Sequence, residues 1–146
     1  MTTISAMDKA TYTYLGFDYG LRYIGVAVGQ SITMTANPVT VIKAKQGIPD
    51  WQHIAQLIQQ WQPQQLIVGL PLNMDGSTQS MTQAAQKFGR RLHGRFHLPV
   101  VWQDERLSTK EALSTLAIPN KLAAKQRESV DSVSAQLILQ SWLNQQ

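Results

Sequence analysis

The sequence predicts an α/β fold: a mixed five-stranded sheet, an antiparallel meander continued by parallel strands, flanked by helices. Three observations carry this. Short β-branched and aromatic runs, separated by glycine and proline turn signals, fill the first third of the chain. Amphipathic helical spacing then alternates with continuous apolar runs. No internal repeat or linker divides the 146 residues, a length that suits one domain with its own core.

Met1 to Thr11 reads as a flexible polar tail without a secretion signal, so residues 12–146 form the predicted domain. Tyr12 to Asp18 is the first strand, Tyr23 to Gly29 the second, and Val39 to Lys43, after Asn37-Pro38, the third. Asp50 caps a helix whose apolar residues Trp51, Ile54, Leu57, Ile58 and Trp61 share one face, and Pro63 ends it. Gln65 to Leu70 is an apolar run of the kind buried on both sides. A loop from Pro71 to Ser77 leads to a second helix, with Met81, Ala85, Phe88, Leu92 and Phe96 inward and Lys87, Arg90, Arg91 and Arg95 outward. Leu98 to Gln103 is the fifth strand. Ser108-Thr109-Lys110-Glu111 has the form of a capping box opening a short helix. Ile118 to Arg127 reads as a polar, basic loop, and Ser129 as the cap of a last helix with core face Val130, Val133, Leu137 and Ile138.

Composition narrows the function. The absence of cysteine excludes disulfides, thiolate metal sites and thiol nucleophiles, and is consistent with a cytoplasmic protein. No apolar run approaches the roughly 18 residues of a membrane span. A net charge of +4 favours an anionic partner such as nucleic acid.

The nine acidic residues are few enough to place one by one. Asp18 closes the first strand, Asp104-Glu105 follow the last, and Asp131 opens the last helix. Singly, these are a turn former, a solvated loop and a residue favoured by the helix dipole. Together, if the first strand is central, they can converge on one sheet edge, and the carboxyl-terminal ends of strands in such sheets are a common place for sites. Clustered carboxylates hold protons or a cation, and oxygen donors without cysteine select a hard ion, Mg²⁺ or Mn²⁺. Ions so held activate water and stabilise a departing phosphate oxygen, chemistry that suits cutting a polyanion. Spacing alone does not choose between Asp104 and Glu105.

Four motifs then carry a resemblance. Leu15-Gly16-Phe17-Asp18-Tyr19-Gly20 with Ile24-Gly25-Val26-Ala27 resembles the opening motif of the YqgF/RuvX family. Val68-Gly69-Leu70-Pro71-Leu72-Asn73 with Gly76 resembles its second, and Asp104-Glu105-Arg106-Leu107-Ser108-Thr109 its third. Val130-Asp131-Ser132, followed by Ala135 and Leu137-Ile138-Leu139-Gln140, resembles its fourth. The resemblance implies a ribonuclease H-like fold and a metal-dependent nuclease that matures the 5′ end of pre-16S rRNA. By fold it is also related to Holliday-junction resolvases acting on branched DNA. It makes Asp18, Glu105 and Asp131 the acidic triad that holds Mg²⁺ or Mn²⁺. The chain departs from the family pattern at Arg22-Tyr23 and Glu128-Ser129, where basic residues are common.

Arg22, Arg106 and Lys110 flank the acidic residues and are the expected phosphate contacts, together with Asn73 in the loop before the second helix. His53, His93 and His97 have no carboxylate-rich surroundings and read as surface or packing residues. Two other readings remain: a non-catalytic RNA-binding module of ribosome assembly, and an actin-like ATPase half, which needs a second domain that 146 residues do not supply.

Overall fold

The computed structural model describes residues 11–105 and 123–146, with side chains of the second segment from residue 130 onward. The strands are β1 (Thr13–Asp18), β2 (Tyr23–Gln30), β3 (Thr35–Lys45), β4 (Ile48–Pro49), β5 (Gln65–Leu70) and β6 (Val100–Asp104). The helices are α1 (Trp51–Trp61), α2 (Ser80–Phe96) and α3 (Ala123–Asn144). Among the described residues the sheet has six strands in the order β4-β3-β2-β1-β5-β6. β1 to β4 are an antiparallel meander, and β1, β5 and β6 run parallel.

The sixth strand is a correction to the sequence reading. Gln46 and Gly47 both have positive φ, 51° and 82°, which makes a two-residue hairpin turn matched to strand twist. Lys45 therefore pairs with Ile48 and Ala44 with Pro49. The third strand also starts earlier than expected, at Thr35. Pro38 is tolerated there because the register shifts at Val26/Ala27, where the strand bulges.

Each face of the sheet has its own core. Leu15, Phe17, Ile24, Val26 and Val68 point toward α1 and α2, where Ile54, Phe88 and Leu92 meet them. Each such fully buried side chain contributes about 1.5–3 kcal/mol. Asp50 caps α1 as predicted, accepting from the His53 N–H at 3.3 Å. α2 starts where Thr82 accepts from Gln79 N at 2.9 Å and donates its hydroxyl to the Pro71 carbonyl, tying the helix to the end of β5.

The other face belongs to α3. Here the strands are paved with glycine. A Cβ on Gly16 would lie 2.8 Å from Leu139 Cβ, and one on Gly29 would lie 3.0 Å from Leu143 Cδ1. The helix thus packs nearly backbone to backbone, with Ala135, Ile138, Leu139, Trp142 and Leu143 buried. This overturns the expected face of Val130, Val133 and Leu137, which are only half-buried; Ile138 alone carries over. The inward face uses small residues such as Ser134 and Ala135, so apolar spacing misplaced it. α3 also begins at Ala123, so residues 123–127 are helical rather than loop and Ser129 lies inside the helix. The proposed helix at Ser108 to Glu111, the rest of the 118–127 loop and the N-terminal tail lie outside the described residues.

Candidate active site

Asp18 is the last residue of β1 and 3% exposed. Tyr14 packs on Trp142 and Gly16 lies under Leu139, so the alternate residues of β1 face α3. Asp18, two residues on from Gly16, shares that face. Its partner across β2 is Gly25. A Cβ on Gly25 would run into the backbone carbonyl of Asp131. On the other side of β1, β5 carries Gly69 just past Val68, the partner of Phe17. A Cβ on Gly69 would lie 2.6 Å from Glu105 Oε2 and 2.7 Å from Ile138 Cδ1. Asp18 therefore stands between two glycines, with the Asp131 backbone on one and the Glu105 carboxylate on the other. Adjacent strands are about 4.8 Å apart, so the three positions span about 10 Å of one sheet edge.

The same alternation separates Asp104 from Glu105. Trp102 covers Gly89 of α2, so β6 sends Trp102 and Asp104 toward the α2 face, and Asp104 is exposed. Gln103 is buried on the α3 side, and Glu105 follows it there, its N–H extending the ladder to the Leu70 carbonyl at 3.1 Å. Asp131 lies eight residues into α3, beyond reach of the helix N-terminus. Packing against Gly25, rather than the dipole, accounts for its position.

Among the described residues no three Asp, Glu or His side chains are gathered closely enough to hold a metal ion as they stand. Carboxylates at about 5 Å repel by about 3 kcal/mol at an effective dielectric of about 20, so drawing them closer requires positive charge. The donor set fits a hard cation: oxygen only, in a chain without cysteine.

The predicted phosphate contacts fare differently. Arg22 is exposed in the β1–β2 turn, at the same end of the sheet as Asp18. Asn73 follows β5 at that end, but its amide donates to Ser77 Oγ at 3.0 Å and the Thr78 carbonyl at 3.3 Å. Asp75 accepts from the Ser77 N–H at 2.9 Å, so the loop braces itself. Arg106 and Lys110 lie outside the described residues. His93 bonds the Leu98 carbonyl through Nδ1 at 2.9 Å, a packing role as expected. The glycines at 25 and 69 are the functional positions that spacing missed; each sits inside a motif, but its purpose needs the facing element.

A mixed sheet with helices on both faces and an acidic edge defines a ribonuclease H-like fold. Solved structures agree. The fowlpox virus Holliday junction resolvase superposes with a TM-score of 0.55 at 14% identity, covering 92% of this chain and 99% of that one. The same resolvase in complex with Holliday junction DNA gives 0.55 at 12% identity, covering 91% and 97%. The particular family follows from sequence. The model described as "RuvX: Holliday junction resolvase" matches residues 12–145, and the chain belongs to that family. A relative from Nitrosococcus oceani, named "Putative pre-16S rRNA nuclease", is 60% identical over 90% of this chain and 86% of its own length. A relative of the same name from Haemophilus ducreyi is 54% identical over 90% and 96%. Membership makes the chain a nuclease, a hydrolase whose partner is nucleic acid. Among the described residues no helix is long and apolar enough to cross a membrane.

Proposed function

We propose that this chain is a divalent-metal-dependent endonuclease that matures the 5′ end of pre-16S rRNA in the cytoplasm. The observation that carries the reading is the buried Asp18 between Gly25 and Gly69, with Asp131 and Glu105 packed over those glycines. The relatives' names supply the substrate. Asp18, Glu105 and Asp131 are the residues that would hold Mg²⁺ or Mn²⁺, with Asp18, the middle position of the three, as the central ligand. What a bound ion supplies there is charge neutralisation at the phosphate and a more acidic water. The chain's own part is positional. β1 fixes Asp18 by strand pairing on both sides, β6 delivers Glu105, and α3 delivers Asp131. Arg22, Arg106 and Lys110 receive flanking phosphates, while Asn73 keeps the loop after β5 in shape.

The test is Asp18→Asn, nearly isosteric and uncharged. The variant keeps the wild-type circular dichroism and loses cleavage of a labelled pre-16S 5′ leader by at least about a hundred-fold, the scale of losing a central electrostatic group. Undiminished cleavage sinks the assignment. The family description favours a second substrate, four-way DNA. Cleavage of leader RNA and junction DNA side by side, at one salt concentration, decides between them.

A further inference from the structure

Tyr19 follows Asp18 directly and points to the opposite face of the sheet, into a cleft between α2 and the β3–β4 hairpin. The cleft is open to solvent on one side and has a volume of about 810 Å³, inside the roughly 300–1,000 Å³ span of small-molecule sites. Tyr19, Trp51 and Phe88 line it, with Lys87, Arg91 and Arg95 beside them. Among the described residues none that lines it is acidic.

The three cations lie four residues apart along α2, so they form one stripe down the cleft wall. The cleft is also preformed. The Tyr19 hydroxyl donates to the Gly47 carbonyl at 2.5 Å, pinning the hairpin tip to the end of β1. The Arg95 guanidinium stacks on Trp51 with 4.2 Å to the ring centroid. Leu21 and Ile48, 52% and 60% exposed, form an apolar lip. Apolar lip, aromatic wall and a cationic stripe suit a flat base joined to a phosphate. A paired duplex hides its base faces in the stack and has none to offer a concave site; an unpaired strand does.

We infer that this cleft is a second nucleic-acid subsite, which takes an unpaired nucleotide of the RNA strand flanking the bond cut at Asp18. This deepens the nuclease reading and rests on it for the substrate. Asp18 and Tyr19 are consecutive residues at the end of β1, one step of about 3.3 Å apart along the chain, so a nucleic-acid strand crossing the sheet edge meets both. Lys87 and Arg91 bind the phosphates, and the base lies among Tyr19, Leu21 and Ile48.

The test measures binding of a short, fluorescein-labelled, unstructured RNA to Asp18→Asn protein in EDTA, so that cleavage is absent. Arg91→Gln is compared with Arg90→Gln, an equal charge change at an exposed position on the same helix outside the cleft. Arg91→Gln weakens binding by about five- to ten-fold and lowers the salt slope by about 0.7, the value of one single-strand phosphate contact. Arg90→Gln changes affinity less than two-fold, on the order of a screened distant charge. An RNA with one abasic position binds more weakly than the intact strand by about five-fold or more, the scale of one lost stacking contact. Equal effects of the two arginine variants, or equal binding of the abasic strand, overturn the subsite. Tighter binding of a duplex than of the single strand, with the same Arg91 dependence, overturns it also. The nuclease reading is judged separately, by Asp18→Asn in the cleavage assay.

Discussion

Gly25→Ala tests how the acidic edge is assembled. The added methyl meets the Asp131 carbonyl, which is helix backbone and has no rotamer to escape into. To restore an ordinary contact of about 3.5 Å to that carbonyl, α3 must back away from β2 by roughly one and a half ångströms. Overpacking of this kind costs about 1–3 kcal/mol. At about 2–4 °C per kcal/mol for a chain of this size, the melting temperature falls by about 2–12 °C. The catalytic effect is larger, because a displacement of about 1 Å in a positioned group costs about a hundred-fold in rate. The assay is single-turnover cleavage of the labelled leader below the variant's melting transition, with urea unfolding alongside. Gly29→Ala is the comparison, since its methyl meets the side-chain ends of Leu143 and Leu139 at 3.0 and 3.1 Å, and these swing aside. It lowers stability while cleavage stays within a few-fold of wild type, the scale of an indirect effect. A Gly25→Ala protein with wild-type stability and wild-type cleavage refutes the account of how α3 places Asp131.

Three further outcomes follow from the same structure. Gln140→Ala destabilises by about 1–3 kcal/mol in urea unfolding, because the buried Ala36 N–H loses the Oε1 acceptor it holds at 2.9 Å. Mg²⁺ at about ten times its dissociation constant raises the wild-type melting temperature by about 3–6 °C and leaves that of Asp18→Asn unchanged. An equal shift in both proteins places the ion elsewhere. Burial raises the Tyr19 hydroxyl above its ordinary value, against a smaller opposing pull from Arg91. The folded state therefore holds this proton longer than the unfolded chain. The stability it contributes is present below the unfolded value of about 10 and is lost as pH rises through the folded value. Urea midpoints of wild type and Tyr19→Phe accordingly draw together, in the wild type's disfavour, as pH rises past the unfolded value of about 10; a constant difference refutes this.

Much of the fold was legible because local rules agreed with the global structure. Asp50 caps α1, Gln65–Leu70 is a buried strand, and Met81 to Phe96 is a helix with its cations outward. The failures are specific. β4 is not legible in the sequence because Gln46-Gly47 is an uncommon spelling of a turn that favours asparagine or aspartate before glycine. The face of α3 does not follow from apolar spacing because the small residues Ser134 and Ala135 are buried on it, against a glycine-rich sheet.

By itself the sequence determined the element types, the acidic residues worth considering, and, through four motifs in order, the family. These depend on short-range patterns: side-chain period, capping and turn chemistry. Only the tertiary structure decided which carboxylate of Asp104-Glu105 faces the helix, since strand alternation acquires a meaning once Trp102 is seen on α2 and Glu105 on Gly69. It also decided why Asp131 lies near Asp18. That proximity depends on the missing side chain at Gly25, and what an absent side chain admits is fixed by the element packed against it.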